Sequence, residues 1–361
     1  MTQASVNYNE GEIFVHAIRN FRSETFHLLL SQNIGHRALY AAVGEALKAP
    51  KHNRKIIFIE LMSRLQHDHI NVALTHIVFE EQPDISLAKL LLDSGADAAH
   101  NEGSLIKHAA CNLNSILLNL LARHAGHNEE IFTQAFMAVI NKGKQWIAPD
   151  HLELVDILLH NGASPNTASR AVVEVTEHLA CKQPAAEFGK ALLLRLFAAK
   201  ADVNYEHGKA LSIAASCGDP FLVSFLLEQR ATAASATRAL SAAIFARHSQ
   251  ETLLPLLLAF AGAQSCKPNF NQSLRGTLPP IFLCLKNYPS SVVMLDTLVD
   301  AGCNVGTTIQ VHVCPPESID GDQTFDAVEA EPASVLIWAL LQNDEPISSE
   351  VIKALVHHGG K

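Results

Sequence analysis

The chain has 361 residues, 48% apolar and 17% charged, with a formal net charge of −9 and a mean hydropathy of +0.13. That balance excludes a disordered polymer, and it is not basic enough for a nucleic-acid footprint. No apolar run approaches the roughly 20 residues that a membrane helix needs; the longest, Leu253 to Ala263, contains Pro255, so no membrane insertion is expected.

Ala and Leu together supply 96 residues while aromatics make up 6%, a bias that predicts mostly helix with close helix–helix contacts. The charge is uneven. Residues 1–300 carry 25 basic and 27 acidic side chains, and residues 301–361 carry 2 and 9, so the acidity belongs to one end. Seven cysteines occur with no C-x-x-C spacing, which predicts free thiols in a reducing, intracellular setting, cytoplasmic or nuclear. Met1–Ser5 carries no basic region leading into an apolar one, so no secretory leader is expected.

Along the chain one unit recurs: a first helix opening on a small-then-apolar pair, a turn, and an apolar second helix closed by a Gly/Ala/Asp/Asn turn. The opening pair stands at Ala38-Leu39, Ala73-Leu74, Ala135-Phe136, Ala171-Val172, Ala210-Leu211 and Ala239-Leu240. The closing turn is clearest at Leu90–Asp97, Val155–Asn166, Leu194–Asn204, Leu256–Ala263 and Leu295–Val305. Ten helix pairs are predicted near 11–33, 37–67, 71–97, 104–127, 131–164, 169–203, 209–231, 237–264, 277–304 and 333–359. A recurrence of this length marks a stacked repeat array. One array over 1–361 is therefore expected instead of separate globular domains.

The stretch Lys209-Ala-Leu-Ser-Ile-Ala-Ala-Ser-Cys-Gly-Asp219, followed by Phe221–Leu227, resembles an ankyrin repeat, and Ser104–Ala110 is a weaker copy. Gly95-Ala-Asp97 and Ala201-Asp-Val-Asn204 match that family's turn, whereas its T-P-L-H tetrapeptide is intact nowhere. The resemblance implies an all-α repeat solenoid, an ankyrin-like helix-turn-helix array with short β-hairpin loops. It also implies a non-catalytic scaffold that binds a protein or peptide partner on the concave face, as a monomer and without a cofactor.

The period breaks between Val305 and Glu331. Thr307–Val313 alternates with period two, placing Ile309, Val311 and Val313 on one face of a strand, and Thr324–Val328 is the expected returning strand. This predicts one longer β-hairpin insertion near 305–331, a finger bearing Glu317, Asp320, Asp322, Asp326, Glu329 and Glu331 without a basic residue. Smaller insertions at Asn141–Pro149 and Cys181–Pro184 read as ordinary loops.

Nineteen histidines invite a metal reading. The tightest cluster, His67-Asp-His69, falls at a turn where such residues cap helices. His108 with Cys111 supplies two ligands, too few to close a tetrahedral site, and His312 with Cys314 lacks partners as well. No H-E-x-x-H, G-x-S-x-G, Walker A or G-x-G-x-x-G pattern occurs. No enzyme, metal site or cofactor is therefore expected. A metal-dependent enzyme is the alternative of another class, which stoichiometric zinc or iron in the purified protein would revive. For the array, the tips before the central first helices are the expected contacts: Arg170, Tyr205, Lys209, Arg238, Phe270 and Arg275, since Arg and Tyr are common binding anchors. The C-terminal segment Val351–Lys361 lacks a polar capping repeat, which suggests as an alternative the recognition array of a longer signalling or regulatory protein; a targeting adaptor or secreted effector makes the same sequence prediction as the scaffold.

Overall fold

A computed structural model describes residues 6–20, 22–180, 187–263, 266–271, 278–312, 330–341 and 346–359. Among them are twenty α-helices and one pair of short strands. The first unit, residues 1–168, holds α1 (Glu12–Arg19), α2 (Ser23–Leu30), α3 (His36–Lys48), α4 (Lys51–Leu61), α5 (His67–Val78), α6 (Ile85–Asp93), α7 (His100–Cys111), α8 (Ser115–Ala125), α9 (Glu129–Lys142) and α10 (Leu152–His160). The second unit, residues 169–361, takes in α11 (Pro165–Ala180), whose first residues precede the boundary. It continues with α12 (Glu187–Ala198), α13 (Tyr205–Cys217), α14 (Pro220–Glu228), α15 (Ala233–Phe245), α16 (Gln250–Gly262), α17 (Pro280–Asn287), α18 (Val292–Asp300), α19 (Val335–Leu340) and α20 (Ser349–His357). Every expected helix pair coincides with an observed one to within a few residues.

The packing order follows the pairing. In the first unit α1, α3, α5, α7 and α9 each pack on the next of the series, as do α4, α6, α8 and α10. In the second, α13, α15, α17 and α19 form one series and α14, α16, α18 and α20 the other. The Ala/Leu excess divides accordingly. Ala42, Ala73, Ala135, Ala214 and Ala239 are fully buried on first helices, where a methyl group lets axes approach. Leu91, Leu121, Leu158, Leu226 and Leu257 are fully buried on second helices, where bulk fills the space between neighbours.

Second helices start and stop by local chemistry. Asp84 Oδ1 accepts from the Ser86 and Leu87 amides, and Asp219 Oδ1 does the same for Phe221 and Leu222. At the far end of α6 the Gly95 amide bonds the Leu92 carbonyl and the Ala96 amide bonds Leu91, a Schellman cap. The same two bonds close α10 at Gly162 and Ala163, α18 at Gly302 and Cys303, and α12 at Lys200 and Ala201.

The links between pairs differ from the expectation of short β-hairpins, since β1–β2 is the one strand pairing among the described residues. Their amides are taken by side chains of the preceding pair instead. Asn71 accepts from Asp97 N–H, Thr133 from Ser164, Ser169 from Asp202 and Thr237 from Asn269, at 2.7–2.9 Å. These four acceptors all stand at the fifth residue of a first helix. That ladder explains why Ser169 and Thr237 are buried polar residues.

Three first helices are entered through a left-handed turn: Asn9-Glu10-Gly11, Asn101-Glu102-Gly103 and Glu206-His207-Gly208, with φ between +47° and +86° throughout. The glycine is required sterically as well as by φ. A Cβ on Gly11 would lie 2.6 Å from Ala38 Cβ, one on Gly208 2.5 Å from Ser235 Cβ, and one on Gly103 would collide with Ile131 Cγ2.

The hairpin near 305–331 is real at its base. Strand β1 (Thr308–His312) pairs antiparallel with β2 (Ala330–Ser334), from Thr308 opposite Ser334 to His312 opposite Ala330. The partner of β1 is thus Ala330–Ser334, while Thr324–Val328 lies outside the described residues. It accepts Pro332, opposite Gln310, because a two-stranded ribbon leaves alternate amides unpaired. The segment at Asn141–Pro149 is no ordinary loop. Its short 3₁₀ turns bury Trp146, which meets Phe136 edge-on at 5.8 Å, and also bury Ile147.

Candidate partner-binding surface

Within the second unit, α11, α13 and α15 are the first helices of three consecutive pairs, and the left-handed turn Tyr205–Gly208 leads into α13. Glu206 of that turn interacts with three of the expected contact residues, Lys209, Tyr205 and Arg170. Lys209 Nζ sits 2.7 Å from Glu206 Oε2. Tyr205 beside it and the Arg170 charge on α11 also favour the ionised form of that carboxylate. The Lys209 hydrogen bond, ahead of Tyr205 and Arg170, holds the Glu206 carboxyl below its ordinary range. Reciprocally, the bond to Glu206 raises Lys209, with Glu177 and Glu174 adding their charge. Arg170 and Tyr205 are half-buried and Lys209 is exposed.

Arg238, one pair further on, is exposed on α15. Together with Asn204, His207, Thr232, Ser235 and Thr237 it lines a cleft of about 280 Å³. Most of the lining is already engaged. Asn204 Oδ1 accepts from Thr232 N–H at 2.7 Å, Thr232 Oγ1 donates to Ser235 Oγ at 3.0 Å, and Thr237 Oγ1 donates to the Ala233 carbonyl at 2.7 Å.

One expected contact residue is not at the surface. Phe270 is 4% exposed and belongs to the core, with the Cys303 thiol donating to its carbonyl at 3.4 Å; its ring is packed where a partner cannot reach it. Arg275 lies outside the described residues, as do Glu317, Asp320, Asp322 and Asp326 of the acidic finger and its Glu329. Sequence reasoning missed Glu206 and His207. The signal was an aromatic residue three before a glycine, shared by Tyr8–Gly11, His100–Gly103 and Tyr205–Gly208.

Three of the histidines that invited a metal reading, His67, His69 and His108, make hydrogen bonds within the chain. His69 is fully buried; its Nδ1 accepts from Gln66 N–H at 3.2 Å and its Nε2 faces the His36 carbonyl at 3.3 Å, so both ring nitrogens are used. His67 Nδ1 faces the Gly95 carbonyl at 3.1 Å, and His108 Nε2 meets the Asn112 amide at 2.8 Å. Among the described residues no three His, Cys, Asp or Glu side chains converge on one point, and no helix is long and apolar enough to cross a membrane.

A scan against protein-family models gives no match to this chain, and a search of curated proteins gives none either.

Proposed function

We propose that the chain is a non-catalytic protein-interaction array of the ankyrin-like kind, one solenoid read over residues 1–361, acting as a monomer inside the cell. In this reading a protein or extended peptide lies along the face made by the first helices and their turns. One observation carries it: Arg170, Lys209 and Arg238 stand on three successive first helices, with Tyr205 and Glu206 between them. Successive first helices displaying charged and aromatic side chains make a graded surface that suits an extended ligand better than a small molecule. The ladder of side chain-to-link hydrogen bonds supports the reading from the other side, because it holds those turns in fixed register.

Charge replacement tests it. Changing Arg170, Lys209 and Arg238 to Gln together is expected to weaken capture of the cellular partner while leaving the melting temperature within about 1–2 °C, since solvent-exposed ion pairs contribute little stability. Partner capture that survives the triple change would place the binding face elsewhere.

A further inference from the structure

The first and third left-handed turns are built alike, and their register can be matched residue by residue. Asn7 Oδ1 accepts from Gly35 N–H and its Nδ2 donates to the Asn33 carbonyl; Asn204 makes the same pair of bonds to Thr232 and Arg230. Gly11 abuts Ala38 as Gly208 abuts Ser235. Glu10 therefore corresponds to His207, Arg37 to Ala234 and Ala41 to Arg238. In the middle copy, where Gly103 abuts Ile131, the same positions hold Glu102, Glu130 and Gln134.

This register exposes a change of sign. At the first turn the slot is closed by the chain itself, with Arg37 Nη1 3.7 Å from Glu10 Oε1. At the middle turn it holds two carboxylates and Gln134. At the third the guanidinium of the closing pair has become Ala234, the carboxylate has become His207, and a new guanidinium, Arg238, has entered. What remains is the cleft of about 280 Å³. Neither His207 nor Arg238 has a hydrogen-bond or ion-pair partner among the described residues, and both are exposed.

We propose that this cleft, between Asn204, His207, Thr232 and Arg238, is a subsite for a carboxylate, the side chain of an acidic residue on the protein partner. The guest carboxylate takes the part that Glu10 plays at the first turn, pairing with a guanidinium over an identical backbone frame. A monoanion fits better than a phosphate dianion, because ionised Glu206 is the residue next to His207 and repels added negative charge. The inference rests on the reading of the array as a protein-binding surface, and it names one chemical feature of the partner.

The test uses the full chain and fluorescein-labelled hexaglutamate, with hexaglutamine as the neutral match and inorganic phosphate as competitor, read by fluorescence polarisation at low salt. Saturable binding of hexaglutamate is expected, with none of hexaglutamine. Arg238→Gln should weaken it by about fivefold, the scale of one partly exposed ion pair. His207→Glu should weaken it at least as much, by rebuilding the chain's own carboxylate beside Arg238, and both variants should melt like the parent. Equal binding of hexaglutamine, no binding of hexaglutamate, or indifference to both substitutions overturns the subsite, and displacement by phosphate at lower concentration than by free hexaglutamate overturns the carboxylate assignment. Partner capture separates the two levels. Loss on Arg170→Gln with Lys209→Gln but not on Arg238→Gln removes the subsite and leaves the array reading. Capture indifferent to all of them places the partner's binding face elsewhere and overturns the subsite as a partner contact, even where the hexaglutamate response stands.

Discussion

At the scale of single residues, the same cap tolerates some sequences better than others. The Schellman position is glycine at Gly95, Gly162 and Gly302, but Lys200 occupies it after α12 with φ +65°, and Arg230 takes φ +61° after α14. A side chain in that region costs about 1–2 kcal/mol, which glycine avoids, offset in part by the greater conformational entropy it gives the unfolded chain. Lys200→Gly and Arg230→Gly are each expected to raise stability by about 0.5–1 kcal/mol, seen as a higher urea midpoint with unchanged slope; a lower midpoint would refute the strain argument. A different residue sets a pH dependence. Burial lowers His69 below its ordinary value, opposed in part by its hydrogen bond to the His36 carbonyl and by the Asp68 charge. The His69 ring meets His36 edge-on at 4.4 Å and lies tilted against Tyr40 at 4.3 Å. The unfolded chain binds that proton more readily than the folded one, so His69 supports the fold above the unfolded value of about 6.5 and the contribution fades as pH falls below it. Melting temperature should fall between pH 7 and pH 5, and fall less steeply in His69→Gln; parallel slopes would contradict this.

At the scale of elements, the helices were legible because each carries its own instructions. Opening pairs such as Ala210-Leu211 and closing turns such as Gly95-Ala-Asp97 report local chemistry that needs no distant partner. What could not be read depends on contacts far along the chain. Phe270 sits in a polar stretch, Lys267-Pro-Asn-Phe-Asn271, that reads as an exposed tip, yet it is buried and its carbonyl is held by Cys303, 33 residues away. Trp146 lies between Lys144 and Pro149 in what reads as a solvated loop, and only the packing against Phe136 reveals it as core. Trp146→Ala should therefore cost about 3–5 kcal/mol, the range for a buried aromatic, where an ordinary loop position costs under about 0.5 kcal/mol; chemical denaturation distinguishes the two. The candidate surface was half legible for a related reason. Arg170, Tyr205, Lys209 and Arg238 stand out by type, but Glu206 acts on three of them from a left-handed backbone turn, which residue types in a tip do not reveal.

At the scale of the whole molecule, the decisive property is that each helix series within a unit packs mainly on its immediate successor. Nearest-neighbour packing means that stability is not shared evenly, and a lesion is felt according to its distance along the stack. Gly208→Ala is the cleanest lesion in the second unit. The added Cβ meets Ser235 Cβ at 2.5 Å and its backbone Cα at 3.1 Å, while alanine must also hold φ +78°. Neither strain can relax without moving α13 against α15, so a loss of about 2–4 kcal/mol is expected. Native-state hydrogen exchange on this variant should show the largest loss of protection in α13 to α16, a smaller one in α17 and α18, and the least in α19 and α20. Uniform loss across the second unit would mean that its helices open together, and the stack would then have to be treated as one cooperative core.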